Sequence, residues 1–316
     1  MNDEGFDLPF KSPNLPQLLT ADTRFKFRCY KGISCFNACC ERADVTLAPY
    51  DILRLKLQFG LTSEEFLRHY TVPFQMDQDG VPGLKLRTDD EGTCRLLDRE
   101  QGCTVYEDRP TVCRYYPAAL LNMRKKDSSQ AEENYSLISE SHCKGHLDDR
   151  EISIEDYRIE QGCKEYDDRN RDWYRLILKK KSAGPGVGRP SEMSLQVFFM
   201  ASYNLDMFRR FVLSENFRRS YKLDDAFFHA VETDDLILMD FAFQFLRQAL
   251  FGEKSTEEVE NAWEKRVEER KEICEAAYPS GAGVQTVMSR VIIYTEEEQS
   301  SIASERGLTA CWPRRE

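Results

Sequence analysis

Much of what would make this chain easy to place is missing. No window approaches the roughly 20 consecutive apolar residues of a membrane span. The opening stretch MNDEGFDLPFKSPNLPQ has neither the basic region nor the apolar run of a secretory signal. These absences lead us to expect a soluble, cytoplasmic chain that does not work on a membrane. Positive charge is also short: 44 Lys and Arg against 55 Asp and Glu leave a net charge of −11. A nucleic-acid grip needs a basic surface whose counterions can be released, so no nucleic-acid partner is expected. The short basic runs Lys179–Lys181, Arg209–Arg210 and Arg218–Arg219 lie close to acidic residues and read as solvated faces. There is no internal repeat, and the Gly-x-Gly element near Gly186 is not preceded by a strand, as a phosphate-cradling loop would be.

What the chain does have is cysteine. It holds 11, and eight of them (Cys29, Cys35, Cys39, Cys40, Cys94, Cys103, Cys113 and Cys143) fall in the first half. In a reducing compartment such density is better explained by metal ligation than by disulfides. Vicinal residues such as Cys39 and Cys40 meet the geometry of a disulfide only with strain. Thiolates favour zinc and iron–sulfur clusters, which usually take four ligands each. The side chains of adjacent residues diverge, so Cys39 and Cys40 suit two irons of one polynuclear cluster, or two neighbouring metals, better than a single ion. This favours an iron–sulfur cluster, most simply [4Fe-4S], over zinc. His142 and His146 flank Cys143 and are candidate zinc ligands, with solvent-facing loop histidines as the plainer reading. Cys163, Cys274 and Cys311 are scattered singly, as small apolar residues are.

Around the cysteines the expected fold class is α+β. A strand at 45–47 leads to a helix from Pro49 to Phe59 ended by Gly60, then to a second helix opened by the capping-box pattern Thr62-Ser-Glu-Glu65 and running to Tyr70. Short extended runs follow to Tyr106. The last two, from Cys94 and from Cys103, form a hairpin that brings these two cysteines together at its open end. A short helix beginning near Pro110 carries Cys113 and stops before Pro117. A polar loop over 125–133 precedes an acidic helix over 153–180. The Gly/Pro-rich stretch over 182–192 is a linker, and 193–277 is a helical domain with its most apolar helix at 235–251 and a charged one from 256. The expected domains are therefore 1–181, binding metal, and 193–277, helical, with a tail over 278–316 to which no role is assigned.

The combination Cys35-x-x-x-Cys39-Cys40, Leu47-x-x-x-Asp51-Ile52-x-Arg54, Cys94-x-Leu96-Leu97-Asp98, Gly102-Cys103-Thr104-Val105-Tyr106 and Asp108-Arg109-Pro110-x-x-Cys113-Arg114-x-Tyr116-Pro117 resembles the bacterial YkgJ-type cysteine-cluster family of zinc- or iron-chelating domains. The likeness runs over roughly residues 25 to 175. The first cluster, Cys29-x5-Cys35-x3-Cys39-Cys40, is more widely spaced than the family's Cys-x-x-Cys-x-x-Cys-Cys label. That family is similar in its cysteine domain to flagellin lysine N-methylases. The resemblance therefore permits S-adenosylmethionine as a second cofactor and a protein lysine N-methyltransferase acting on a protein substrate. An electron-transfer or redox-sensing role toward a partner protein is the third reading. Arg109 and Arg114 are expected either to hydrogen-bond cluster sulfurs or to make salt bridges.

Overall fold

A computed structural model describes residues 18–41, 43–124, 131–182 and 190–260. Its strands are β1 (Arg24–Lys26), β2 (Thr46–Leu47), β3 (Thr71–Gln75), β4 (Pro82–Leu86), β5 (Leu97–Asp98), β6 (Gly102–Cys103), β7 (Ala118–Arg124), β8 (Ala131–Leu137) and β9 (Glu151–Ser153). Its helices are α1 (Pro49–Phe59), α2 (Ser63–Tyr70), α3 (Thr111–Tyr115), α4 (Ile154–Glu160), α5 (Cys163–Ser182), α6 (Glu192–Tyr203), α7 (Leu205–Leu213), α8 (Glu215–Ser220), α9 (Asp225–Thr233) and α10 (Asp235–Phe251). The fold is α+β, with short strands in the first half and helices in the second. No described helix is long and apolar enough to cross a membrane.

The chain divides into two compact units that are interleaved in sequence: residues 1–45 with 88–168, and residues 46–87 with 169–316. In the first unit, β1 pairs antiparallel with β9, setting Phe25 opposite Ile152, and β7 pairs antiparallel with β8. Phe25 and Phe27 both turn inward and meet Tyr157 edge-on at 5.6 and 5.8 Å. Tyr115, Tyr135, Ile154 and Cys163 complete this core. Each large side chain buried there contributes about 1.5–3 kcal/mol. Cys163 is wholly buried among apolar neighbours, as its isolation in the sequence suggests.

In the second unit, β4 lies between β2 and β3 in a three-stranded antiparallel sheet. The start of α1 is held by the Asp51 carboxylate, which accepts the Ala48 N–H at 2.8 Å, so this motif residue caps a helix. The α2 box forms as expected, Thr62 Oγ1 accepting from Glu65 N and Glu65 Oε2 from Thr62 N. In α10, Leu238, Met239, Phe241, Ala242, Phe243, Phe245 and Leu246 are buried, leaving Asp240, Gln244, Arg247 and Gln248 as the polar stripe. Two of the basic runs make ion pairs within this unit, Lys180 with Asp77 and Asp79, Arg209 with Asp235 and Arg210 with Glu64, while Arg218 lies over the Phe228 ring and Arg219 donates to Asn216.

Three expectations are corrected. The acidic helix over 153–180 is two helices, because Gly162 takes φ +65° between α4 and α5, a conformation an L side chain resists. Residues 131–133 are not loop but the start of β8, paired with β7 in the longest hairpin among the described residues. Residues 256–260 are not helical, and Glu258 instead bridges to Tyr221. The rest of the expected 256–277 helix, the 278–316 tail and residues 183–189 of the linker lie outside the described residues.

Candidate metal centre

All eight candidate cysteines fall in the first compact unit. The stretch over 29–40 has no regular α-helix or strand. It is a succession of tight turns, Ile33 N to Tyr30 O at 3.2 Å, Phe36 N to Ile33 O at 2.9 Å and Ala38 N to Cys35 O at 3.0 Å, ending in a 3-10 turn over Ala38–Cys40. Asn37 enters that turn at φ 70°, which its short amide side chain tolerates. Cys35 and Cys39 are thus set by consecutive turns.

Three tethers bring distant cysteines to this stretch. The Cys94 N–H donates to the Cys40 carbonyl at 2.9 Å. The Lys144 N–H donates to Cys35 Sγ at 3.1 Å. Phe36 lies over Gly102, where a Cβ would sit a tight 3.2 Å from the ring and where a φ of +97° favours glycine beside Cys103. The β5–β6 hairpin pairs Leu97 with Cys103 and Asp98 with Gly102. Cys94 lies beyond this ladder, where it bridges Thr88.

The thiols sense one another. The Cys40 thiol donates to the Cys39 sulfur, which lowers Cys39 to about 7 and raises Cys40. Crowding by protein raises Cys29 to about 11 even though solvent reaches it, and Cys39, Cys35 and Cys143 push it further the same way. Burial also raises Cys94 and Cys103, each with Cys39 adding to the rise, while Arg109 opposes it at Cys103. Cys40 responds to Cys94 and Cys113 as well. The vicinal pair is thus coupled to both sets of thiols, Cys39 to Cys29, Cys94 and Cys103 and Cys40 to Cys94 and Cys113. Thiolates that raise one another's pKa gather stably only against a cation, and zinc or iron supplies that charge. The donor chemistry suits such a metal. The coordination sphere is not closed: among the described residues no three His, Cys, Asp or Glu side chains converge as a ready-made ligand set.

Each histidine has a partner other than a thiol. His146 Nε2 lies 3.1 Å from the Ile138 carbonyl with its ring against Phe27, and His142 lies 3.6 Å from Glu140. Arg114 makes neither of the contacts expected of it. Its buried guanidinium donates to the backbone carbonyls of Glu107, Arg109 and Gln161 and to the Tyr166 hydroxyl, and it stacks over the Tyr166 ring at 4.0 Å. It clamps the turn before Cys113 to the junction of α4 and α5. Arg109 donates to the Tyr106 carbonyl and to Gln161 Oε1. Sequence reasoning missed Gln161, whose only signal is the Gly162 that follows it, and Glu140, which nothing in the sequence distinguishes.

The family model described as "CxxCxxCC: Putative zinc- or iron-chelating domain" matches residues 28–144. The match takes in all eight thiols from Cys29 to Cys143 and indicates zinc or iron chelation as what the domain does. No curated protein and no solved structure matches the chain.

Proposed function

We propose that the cysteine-cluster domain holds a polynuclear iron–sulfur centre on Cys29, Cys35, Cys39, Cys40, Cys94, Cys103, Cys113 and Cys143. The observation that supports this reading is the position of the vicinal pair. Cys39 is within electrostatic reach of Cys29, Cys94 and Cys103, while Cys40 is within reach of Cys94 and Cys113. One four-coordinate ion would leave half of the eight thiols of this unit unused; a centre with several metals takes up both members of the pair and the thiols around them. When bound, such a centre supplies storage and transfer of single electrons. The chain's own part is to hold the thiolates, to keep them partly open to solvent, and to place backbone N–H groups on sulfur, as Lys144 does on Cys35.

The test is analysis of protein purified without air. Iron together with acid-labile sulfide and a broad visible absorption are expected. A colourless protein carrying stoichiometric zinc would overturn the iron–sulfur reading and leave a zinc-thiolate centre on the same residues. Exchange of Cys39 or Cys113 to alanine is expected to lower the metal content and destabilise this unit, because the turns over 29–40 have no buried side chain of their own in the Ala38–Cys40 turn to fall back on.

A further inference from the structure

Tyr116 lies just beyond α3, three residues after Cys113. Its hydroxyl donates to Glu140 Oε2 at 2.8 Å and also reaches the Cys143 thiol. Glu140 in turn accepts the Cys143 N–H on its backbone carbonyl at 3.0 Å, closing the turn that presents this cysteine. The next residue, Lys144, places its N–H on Cys35 Sγ. The segment is anchored at both ends, Ile138 N donating to the Pro117 carbonyl at 2.7 Å and Gly145 accepting from Arg28 N at 3.1 Å. Between those anchors, the Tyr116 hydroxyl ties the 140–143 turn back to the Cys113 segment, through Glu140 and through the Cys143 thiol.

We propose that Tyr116 and Glu140 are a positioning pair for the metal centre, in which the phenol hydroxyl holds the Glu140 turn and thereby aims Cys143, and through Lys144 also Cys35, at a shared metal. Neither residue is a ligand. The inference rests on the reading of the eight thiols as metal ligands. It goes further by assigning a role to two residues that supply no sulfur. Partners that orient ligands in this way are worth about 10–100-fold in metal affinity. Glu140 is open to solvent, which can replace part of the bond, so the effect belongs at the lower end of that range.

The experiment measures how fast an excess of chelator withdraws metal from the full chain, read as metal remaining on the protein. Tyr116→Phe and Glu140→Ala are each expected to speed withdrawal about tenfold. Glu140→Gln keeps an acceptor for the hydroxyl and should stay within about twofold of the parent chain. The double variant should be no faster than either single, since the two residues act as a unit. Tyr157→Phe, which loses the hydrogen bond from Tyr157 to the Tyr116 carbonyl but leaves the Tyr116 hydroxyl alone, is the control for general loosening. Withdrawal at the parental rate in Tyr116→Phe would overturn the proposal, as would equal acceleration by Tyr157→Phe. A parent chain that neither carries nor takes up metal would remove the underlying reading and this inference with it, an outcome distinct from the other two.

Discussion

Replacing Arg114 with lysine keeps the charge and removes the fork. In the parent chain the guanidinium reaches the Arg109 carbonyl at 3.0 Å, the Gln161 carbonyl at 2.9 Å, the Glu107 carbonyl and the Tyr166 hydroxyl at 3.0 Å. These acceptors are served by all three guanidinium nitrogens of a residue that is 6% exposed. A lysine ammonium is a single point on a flexible stem and can take the place of one of these nitrogens at a time. At least two carbonyls are then left without their donor. Each such loss costs about 1–3 kcal/mol, which puts Arg114→Lys at about 4 kcal/mol. Amide hydrogen exchange read on peptides covering 105–118 and 154–168 is the assay, with metal content held equal between variants. At about 1.4 kcal/mol per factor of ten, the slowest amides of these segments should exchange faster by about a thousandfold. An acceleration below about fivefold would refute the clamp, showing that water or the lysine replaces the lost donors.

Three further outcomes follow from neighbouring features. Gly162→Ala forces an L residue to φ +65° and sets its Cβ 3.2 Å from Arg114 Nη1, so it should destabilise the first unit by about 1–2 kcal/mol in denaturant unfolding. Cys163→Ala should leave the metal content unchanged while costing about 1 kcal/mol of stability, whereas Cys143→Ala should lower the metal content; elemental analysis of the two variants separates core from ligand. Burial pushes the Asp206 carboxyl up, but the Ser63 N–H at 2.6 Å and Lys56 at 3.0 Å outweigh it and hold the group below its usual value. Its contribution to stability is therefore complete above the unfolded-state value of about 3.9 and is lost as pH falls through the lower folded-state value. Unfolding followed across that acidic window should show a slope that flattens in Asp206→Asn.

Local signals were legible wherever one short stretch carried both the pattern and its physical cause. Pro49, the Thr62–Glu65 box and the stripe of α10 each act within a few residues, and each element appears where its pattern predicts. The acidic helix over 153–180 misled because its charge pattern runs through Gly162. The break there also answers to Arg114, almost fifty residues upstream, whose guanidinium would crowd a Cβ at 3.2 Å. The hairpin of β7 and β8 was hidden because Ala131, Glu132 and Glu133 have no strand preference of their own, and the pairing with β7 supplies it.

The amino-acid order by itself determined the thiol chemistry: eight cysteines with a vicinal pair point to a metal before any coordinate is known. Only the tertiary structure decided how the pieces of that centre are gathered. Residues 46–87 leave the cysteine-bearing unit and pack with the later helices, while Cys94 returns to bond Cys40 and the Lys144 amide to bond Cys35. Such contacts join residues dozens of positions apart, and the donor in each is a backbone N–H group, which every residue except proline carries. Side-chain pattern alone therefore carries no record of which of them will meet.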